Sequence, residues 1–178
     1  LGFQRVTAEG QPTLAEMIDV LARLHRIPPQ GLARFDPFLR IRPRLTQSSP
    51  EVVAITERLA AQDAALVWRE TAVIHGDFHP GQLLRDRQGK VWLVDLDDLA
   101  LAPPEADLGN LAAWQATQLP VVGLAERVAA VQALILAAAP WAVPALIRHF
   151  CEIALVRRAL KLAGRGQPWV LQQLALRA

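Results

Sequence analysis

The sequence predicts an α+β fold that is mostly helical and carries a short β-hairpin near its middle. Apolar residues recur at helical spacing near the start of the chain, and nearly everything after residue 103 is helical in character. Between residues 72 and 95 the pattern changes to short apolar runs separated by Gly and Pro, which is typical of strands and tight turns. No internal repeat is visible.

Length and composition limit the function classes. The 178 residues are enough for one domain with a sizeable core, so we expect a single domain over 1–178. A content of 52% hydrophobic and 20% charged residues excludes disordered, collagen-like and coiled-coil chains.

The net charge of only +2 predicts no nucleic-acid partner. The single cysteine, Cys151, excludes an intrachain disulfide and favours a cytoplasmic location. The chain starts at Leu1 without a signal peptide, and we expect a piece of a longer protein.

Two helices are predicted before the hairpin. The first spans 13–25, where Thr13 is the N-cap and Glu16 completes a capping box. After an irregular segment, a second helix is predicted over 50–69, with Ser49 as N-cap and a proline in the first helical position.

Three short strands follow. We place them at 72–75, 83–86 and 91–95. The last two form a hairpin that turns at Gln88–Gly89. A symmetric two-residue turn would place Leu84 opposite Leu93 and Gln82 opposite Asp95.

The remaining helices are predicted at 104–118, 121–139, 142–163 and 167–177. Residues 128–147 carry no charge and have the length of a membrane span, but this stretch is rich in Ala and contains Pro140 and Pro144. We therefore expect two buried helices joined near residues 139–141 and no membrane partner.

Chemistry-bearing residues concentrate between residues 75 and 98. Asp95, Asp97 and Asp98 crowd together after an apolar strand, where their mutual repulsion is relieved by a bound cation. The predicted register brings oxygens of Gln82 and Asp95 to one Mg²⁺, with Asp97 as a possible further ligand. Asp77 lies just before this hairpin, where a carboxylate can accept a hydroxyl proton.

Three motifs carry a family resemblance. H-G-D-x4-Q begins at His75, V-D-L-D-D at Val94 and A-D-L-G-N at Ala106. In order and spacing they resemble the aminoglycoside phosphotransferase and choline kinase-like family, which has the protein-kinase-like fold. The resemblance implies an ATP-dependent or GTP-dependent, Mg²⁺-using phosphotransferase that acts on a hydroxyl group of a small molecule.

The resemblance also implies roles for individual residues. Asp77 matches the catalytic base, and His75 matches the residue that braces the catalytic loop. Gln82 stands where the family usually has a metal-binding Asn, and Asp95 stands where it has the main metal-binding Asp, so both would bind the cofactor. Asp107 matches a structural Asp that steadies the catalytic loop.

Two departures from the family are visible. Gln82 offers the amide oxygen of Asn on a longer stem. No Gly-rich phosphate loop and no lysine precede His75. The chain therefore resembles the carboxy-terminal lobe alone, with the amino-terminal nucleotide-binding lobe as its missing partner. We expect the isolated chain to be nearly inactive and to expose apolar surface through which it can form a homodimer.

Two alternatives remain open. A pseudokinase-like module would keep the fold and bind ligands without turnover. A metallohydrolase would use His75, Asp77 and His79, which alternate along the chain, to bind Zn²⁺.

The charge of the last third of the chain bears on the acceptor. After residue 110 only two acidic residues occur, against seven basic ones: Arg127, Arg148, Arg157, Arg158, Lys161, Arg165 and Arg177. Because like charges cost binding energy, we expect a neutral or anionic hydroxyl compound rather than an aminoglycoside.

Overall fold

Seven helices and four short strands form the part of the protein covered by the structure, a computed structural model that describes residues 10–68, 71–118 and 123–175. The helices are α1 (Leu14–Leu24), α2 (Arg42–Leu45), α3 (Pro50–Ala65), α4 (Glu105–Ala116), α5 (Leu124–Ala138), α6 (Pro144–Ala163) and α7 (Trp169–Ala175). The strands are β1 (Ala72–Ile74), β2 (Leu83–Arg85), β3 (Val91–Leu93) and β4 (Ala100–Ala102). The predicted α+β, mostly helical class is confirmed.

Most of the predicted helix boundaries lie within two residues of the observed ones. At α1 the full capping box forms: the Thr13 hydroxyl accepts from the Glu16 backbone, and Glu16 accepts from the Thr13 backbone N–H. Helix α3 begins after Ser49, as predicted, but it ends at Ala65 rather than at residue 69. Predicted helical positions 69, 121–122 and 176–177 lie outside the described residues. The segment predicted to be irregular contains the single turn α2.

The hairpin forms, but the predicted register is wrong by one residue. Strands β2 and β3 pair Leu83 with Leu93 and Leu84 with Trp92. The reason is a three-residue loop, in which Asp86 and Lys90 close the ladder and Gly89 takes a positive φ of 80°. A type I turn followed by a left-handed glycine needs one residue more than the two-residue turn predicted from sequence.

The fourth strand was not predicted. Strand β4 pairs antiparallel with β1, so that Ala72 lies opposite Ala102 and Ile74 opposite Ala100. Its sequence is only Ala-Leu-Ala and lacks the β-branched residues that signal a strand. The pairing brings the residues after β1 against those before β4. At Gly76, φ is +80° and an added Cβ would lie 2.5 Å from the carbonyl oxygen of Asp98.

Helices α4 and α6 form the centre of the core. They approach closely at Gly109, where a Cβ would lie 2.7 Å from both the Cys151 nitrogen and the Phe150 Cβ. Buried side chains of α1, α4, α5 and α6 form most of one hydrophobic cluster, and those of α3, β1, β4 and α6 form most of a second. The close approach positions the polar face of α6 over the loop that follows β1.

The uncharged stretch 128–147 is broken as predicted. Helix α5 ends at Ala138, and α6 begins at Pro144. The expectation that both helices are buried is wrong for α5, where only Leu124 and Ile135 are fully buried, because this helix packs on the core along one narrow stripe. Among the described residues, no helix has the length and apolar character of a membrane span.

Candidate active site

The buried carboxylate of Asp107, on α4, fixes the start of the loop after β1. It accepts hydrogen bonds from the backbone N–H groups of His75, at 2.8 Å, and Gly76, at 3.0 Å. The ring Nε2 of His25 lies 3.1 Å from the same carboxylate. Asp107 is 1% exposed, so these contacts satisfy a charge that is costly to bury alone. The loop is thereby held at the end of β1.

His75 connects this loop to the end of β3. Its ring is fully buried, and Nε2 lies 3.0 Å from the carbonyl oxygen of Val94. The other ring nitrogen, Nδ1, accepts from the backbone N–H of Asp77 at 3.4 Å. Both nitrogens of His75 are therefore engaged within the protein, which is the geometry of a bracing residue.

Asp77 is held by two arginines from distant parts of the chain. Its Oδ1 accepts from Arg157 Nη2 on α6 at 2.7 Å, and its Oδ2 accepts from Arg40 Nη1 at 3.2 Å. The Asn110 amide lies 3.5 Å from Oδ1 and donates more strongly to the Phe78 carbonyl oxygen, at 2.7 Å. Arg157 also donates to Asn110 Oδ1. Asp77 is 22% exposed, so solvent reaches the carboxylate.

Gln82 and Asp95 come together even though the predicted register was wrong. Gln82 accepts from the Val94 backbone, so Val94 is its ladder partner. Asp95 then takes a left-handed conformation, with φ 61° and ψ 58°, which is rare for a residue other than glycine. The reversal brings Asp95 Oδ2 within 2.8 Å of Gln82 Nε2. The two side chains lie on the same side of the hairpin.

The other two acids after β3 have separate surroundings. Asp97 lies in the 3₁₀ turn Leu96–Asp98 with an exposed side chain. Asp98 forms an ion pair with Arg40, which also contacts Asp77. Arg40 thus neutralises part of the acidic cluster from within the protein.

The donor set fits a divalent cation held partly by substrate. Among the described residues no group of three or more His, Cys, Asp or Glu side chains is placed to hold a metal. Gln82 and Asp95 offer one amide oxygen and one exposed carboxylate, the kind of oxygen pair that holds Mg²⁺ together with phosphate oxygens. At present the Gln82 amide nitrogen, rather than its oxygen, contacts Asp95. For Gln82 and Asp95 to bind the same cation, the Gln82 amide group must therefore rotate so that its oxygen faces the cation.

A pocket of about 450 Å³ opens over Asp77. Its lining residues are Leu39, Arg40, Pro43, Arg44, Asp77, His79, Arg157, Arg158 and Lys161. Neither Gln82 nor Asp95 is among these lining residues.

His79 forms one wall of this pocket as a neutral ring. It stacks on Trp114 with the ring centroids 5.7 Å apart, and its Nδ1 accepts from the Gly81 backbone at 3.0 Å. Burial lowers the pKa of His79, although the charge of Asp77 opposes that shift. Nε2 is left as the hydrogen-bonding atom that can donate to a ligand.

His75, Asp77, Gln82 and Asp95, which the sequence predicts to be site residues, lie on the loop after β1 and on the hairpin that follows it. The side chains that contact Asp77 were not assigned from the sequence. From the sequence, Arg157 is only one of seven basic residues in the last third of the chain, and Arg40 lies in the segment predicted to be irregular. Asn110 is the last residue of the A-D-L-G-N motif, and the motif predicts no role for it. No local signal links Arg157, Arg40 and Asn110 to Asp77, because they lie 80, 37 and 33 residues away from it, respectively.

Comparison with known proteins identifies the fold and the family. Residues 7–147 match the family described as "Phosphotransferase enzyme family". No curated protein matches the chain.

Several solved structures share the fold. A choline/ethanolamine kinase family protein from Mesorhizobium loti aligns with a TM-score of 0.64 and 18% identity, over 90% of this chain and 61% of that one. The amicoumacin kinase hAmiN, in a complex with AMP-PNP, Ca²⁺ and Ami, aligns with a TM-score of 0.63 and 15% identity, over 91% of this chain and 55% of that one. An aminoglycoside phosphotransferase from Streptomyces rimosus aligns with a TM-score of 0.51 and 23% identity, over 79% of this chain and 61% of that one. The chain thus spans 55–61% of the length of these three relatives.

Proposed function

The chain belongs to the phosphotransferase enzyme family, and from that membership we propose that it is the acceptor-binding and metal-binding part of a small-molecule kinase. The kinase would move the terminal phosphoryl group of ATP or GTP to a hydroxyl group of its acceptor. The observation that carries the proposal is the placement of Asp77 on the wall of a pocket of about 450 Å³, one loop away from the Gln82–Asp95 pair.

Asp77 is proposed to receive the acceptor hydroxyl. Both of its oxygens now accept hydrogen bonds from arginines, so one of these must yield for a substrate to bind. Arg40 is 47% exposed and Arg157 is 13% exposed. The exposed Arg40 therefore leaves Oδ2 to the incoming hydroxyl, while Arg157 keeps Oδ1 in place. The Oδ2 atom then orients the hydroxyl and takes its proton as the phosphoryl group arrives.

Gln82 and Asp95 are proposed to hold Mg²⁺, with Asp97 as a further candidate ligand. When bound, the cation neutralises charge on the nucleotide phosphates. Use of a nucleotide and a divalent cation is supported by the related amicoumacin kinase, which was solved with AMP-PNP and Ca²⁺. The protein's own contribution is to present the Asp95 carboxylate from a left-handed turn, with Gln82 beside it.

The rest of the nucleotide is proposed to be bound by protein outside these residues. The sequence has no Gly-rich phosphate loop before His75, and its first lysine is Lys90. The solved relatives are longer than the region they share with this chain. The amino-terminal lobe is accordingly the proposed partner, and these 178 residues alone are proposed to turn over little nucleotide.

A second candidate is a module that binds ligands without turnover. The observation in its favour is that the polar atoms of the site already satisfy one another: Asp77 with Arg40 and Arg157, and Asp95 with Gln82. In this case the arginines would hold Asp77 permanently, and no acceptor hydroxyl would reach it.

Phosphoryl transfer by the natural full-length protein tests the proposal. Product from [γ-³²P]ATP is followed with a panel of hydroxyl compounds for the wild type, Asp77→Asn and Asp19→Asn. Asp77→Asn is expected to lower kcat by about 10²-fold to 10⁴-fold, the range for a lost acid–base group. Asp19, an exposed residue that forms an ion pair with Arg23 on α1, provides the matched control. ATP binding without transfer to any acceptor would favour the binding module.

A further inference from the structure

The pocket over Asp77 is strongly basic. Five of its nine lining residues are Arg or Lys, and the lining contains one carboxylate, that of Asp77. The cations come from two walls. Arg157, Arg158 and Lys161 lie within two turns of α6, and Arg40 and Arg44 lie in and just before α2. Positive charge therefore surrounds the position proposed for the acceptor.

Two of the five cations are already paired. Arg157 donates to Asp77 and to Asn110, and Arg40 bridges Asp77 and Asp98. Together they occupy both oxygens of the Asp77 carboxylate. No negative charge in the lining is left to balance the other three cations.

Arg44, Arg158 and Lys161 have no carboxylate partner among residues 10–68, 71–118 and 123–175. Arg158 is anchored by a hydrogen bond of 2.7 Å from Nε to the Thr117 hydroxyl, and its guanidinium lies over the Trp114 ring. Its terminal nitrogens have no hydrogen-bond partner in the part of the chain that the structure describes. Arg44 donates only to the Arg40 backbone carbonyl, at 3.2 Å. Lys161 extends from α6, one turn beyond Arg157.

Keeping Arg158 and Lys161 charged in this pocket has an energetic cost. The pKa of Arg158 falls to about 10, mainly because the group is buried and next because Arg157 lies beside it. Lys161 is exposed, and the partial loss of water around its ammonium group is the main cause of its lowered pKa. A folded protein keeps like charges together at a cost to its own stability, and a bound anion removes that cost.

We propose that the acceptor is an anionic hydroxyl compound, whose carboxylate or phosphate group is bound by Arg158, Lys161 and Arg44 while its hydroxyl lies at Asp77. This inference rests on the proposed function and names its substrate class. A volume of about 450 Å³ suits a small metabolite. In the proposed function the nucleotide phosphates reach Asp77 from the side of Gln82 and Asp95, and neither of these residues lines the pocket. A cationic acceptor would meet uncompensated positive charge.

Binding of inorganic phosphate is the first test and needs no catalysis. Isothermal titration calorimetry in EDTA compares the wild type with Lys161→Gln, Arg158→Gln and the double variant. We expect the double variant to raise the Kd for phosphate by about tenfold or more. Arg148→Gln, on the same helix but outside the pocket, provides the control and should bind as the wild type does. Because Lys161 is exposed, its variant keeps the test valid if loss of the Arg158 contact unfolds the protein. Equal Kd values in all variants would overturn the proposal.

The second test compares three acceptors that share one carbon skeleton and differ in charge. Glycerate, glycerol and aminopropanediol are offered to the natural full-length protein at matched concentrations. We expect kcat/KM to be highest for glycerate and lowest for aminopropanediol, with at least about tenfold between them. The double variant should abolish that preference.

The outcomes separate this inference from the proposed function. If phosphate binding depends on Arg158 and Lys161 but no compound receives a phosphoryl group, the pocket binds anions and the proposed kinase function is wrong. If phosphoryl transfer is fastest to aminopropanediol, or is unchanged in Arg158→Gln and Lys161→Gln, the kinase function stands and the proposal of an anionic acceptor is wrong.

Discussion

Arg157 on α6 donates a hydrogen bond of 2.7 Å to Asp77, which lies 80 residues earlier in the chain. The contact joins the carboxy-terminal helices to the loop after β1. It also makes the position of Asp77 depend on the packing of α6 against α4.

Replacement of Arg157 tests whether it is a positioning residue for Asp77. In the natural full-length protein, Arg157→Gln should lower kcat by about tenfold to a hundredfold, because Asp77 loses the contact that orients Oδ1. KM for the acceptor should change less. Arg157→Lys should recover part of kcat, since one ammonium group can contact Asp77 but cannot also reach Asn110 in the same way. A kcat equal to that of the wild type in both variants would show that α6 does not position Asp77.

Loss of the Asp107 carboxylate should destabilise the loop after β1. Asp107→Asn replaces one acceptor oxygen with a donor that faces the backbone N–H groups of His75 and Gly76. We expect the free energy of unfolding to fall by about 3 kcal/mol, measured by urea denaturation. The exposed Asp19→Asn should change it by less than about 0.5 kcal/mol. Similar losses in both variants would contradict a special role for Asp107.

The close approach of α4 and α6 predicts opposite effects for two glycines. Gly109→Ala places a methyl group 2.7 Å from Phe150 Cβ, so the helices must separate, and the free energy of unfolding should fall by about 1–3 kcal/mol. Gly164→Ala meets its nearest atom at 3.5 Å, in an αR conformation. It should be neutral or stabilising, by up to about 1 kcal/mol. Helix propensity alone would make Gly109→Ala stabilising, and that result would refute the packing explanation.

Stability at low pH should depend on Glu16. Hydrogen bonds from Arg85, at 2.8 and 2.6 Å, and from Thr13 lower the pKa of Glu16 from 4.5 to about 2. The folded state therefore binds this proton less readily than the unfolded chain. The resulting stabilisation is complete above pH 4.5 and is lost as the pH falls toward 2.

Urea titrations at several pH values measure this effect. Glu16→Gln should be less stable than the wild type at neutral pH, and the difference should shrink between pH 4.5 and 2. Glu57→Gln, an exposed glutamate on α3, provides the control. A difference in the free energy of unfolding between wild type and Glu16→Gln that stays constant across this pH range would contradict the prediction.

The thiol of Cys151 should react slowly in the folded protein. Burial raises its pKa to about 12, so almost no thiolate is present near pH 8. Modification by a disulfide reagent should be at least about a hundredfold slower in the native protein than in denaturant. Rapid labelling of the native protein would show that α6 opens locally around this residue.

Local patterns were enough to predict much of the fold. The Thr13–Glu16 capping box, the start of α3 at Pro50 and the helix break at Pro140 each follow from a few neighbouring residues, and each is present. The hairpin was predicted for the same reason. Its register was wrong because one added loop residue shifts every pair, and the energetic difference between two-residue and three-residue loops depends on the backbone of Gly89 and the side chain of Asp86.

The sequence by itself determined the helical class and the order of the motifs, and it predicted Asp77, Gln82 and Asp95 as candidate site residues, because helix periodicity and motif spacing are local. Only the tertiary structure decided how these residues are surrounded. The left-handed turn at Asp95 joined it to Gln82, and the packing of α6 on Gly109 brought Arg157, Arg158 and Lys161 across from Arg40 and Arg44. Contacts between segments more than a hundred residues apart depend on how closely two helices can approach, and that distance is set by the packing of the whole core.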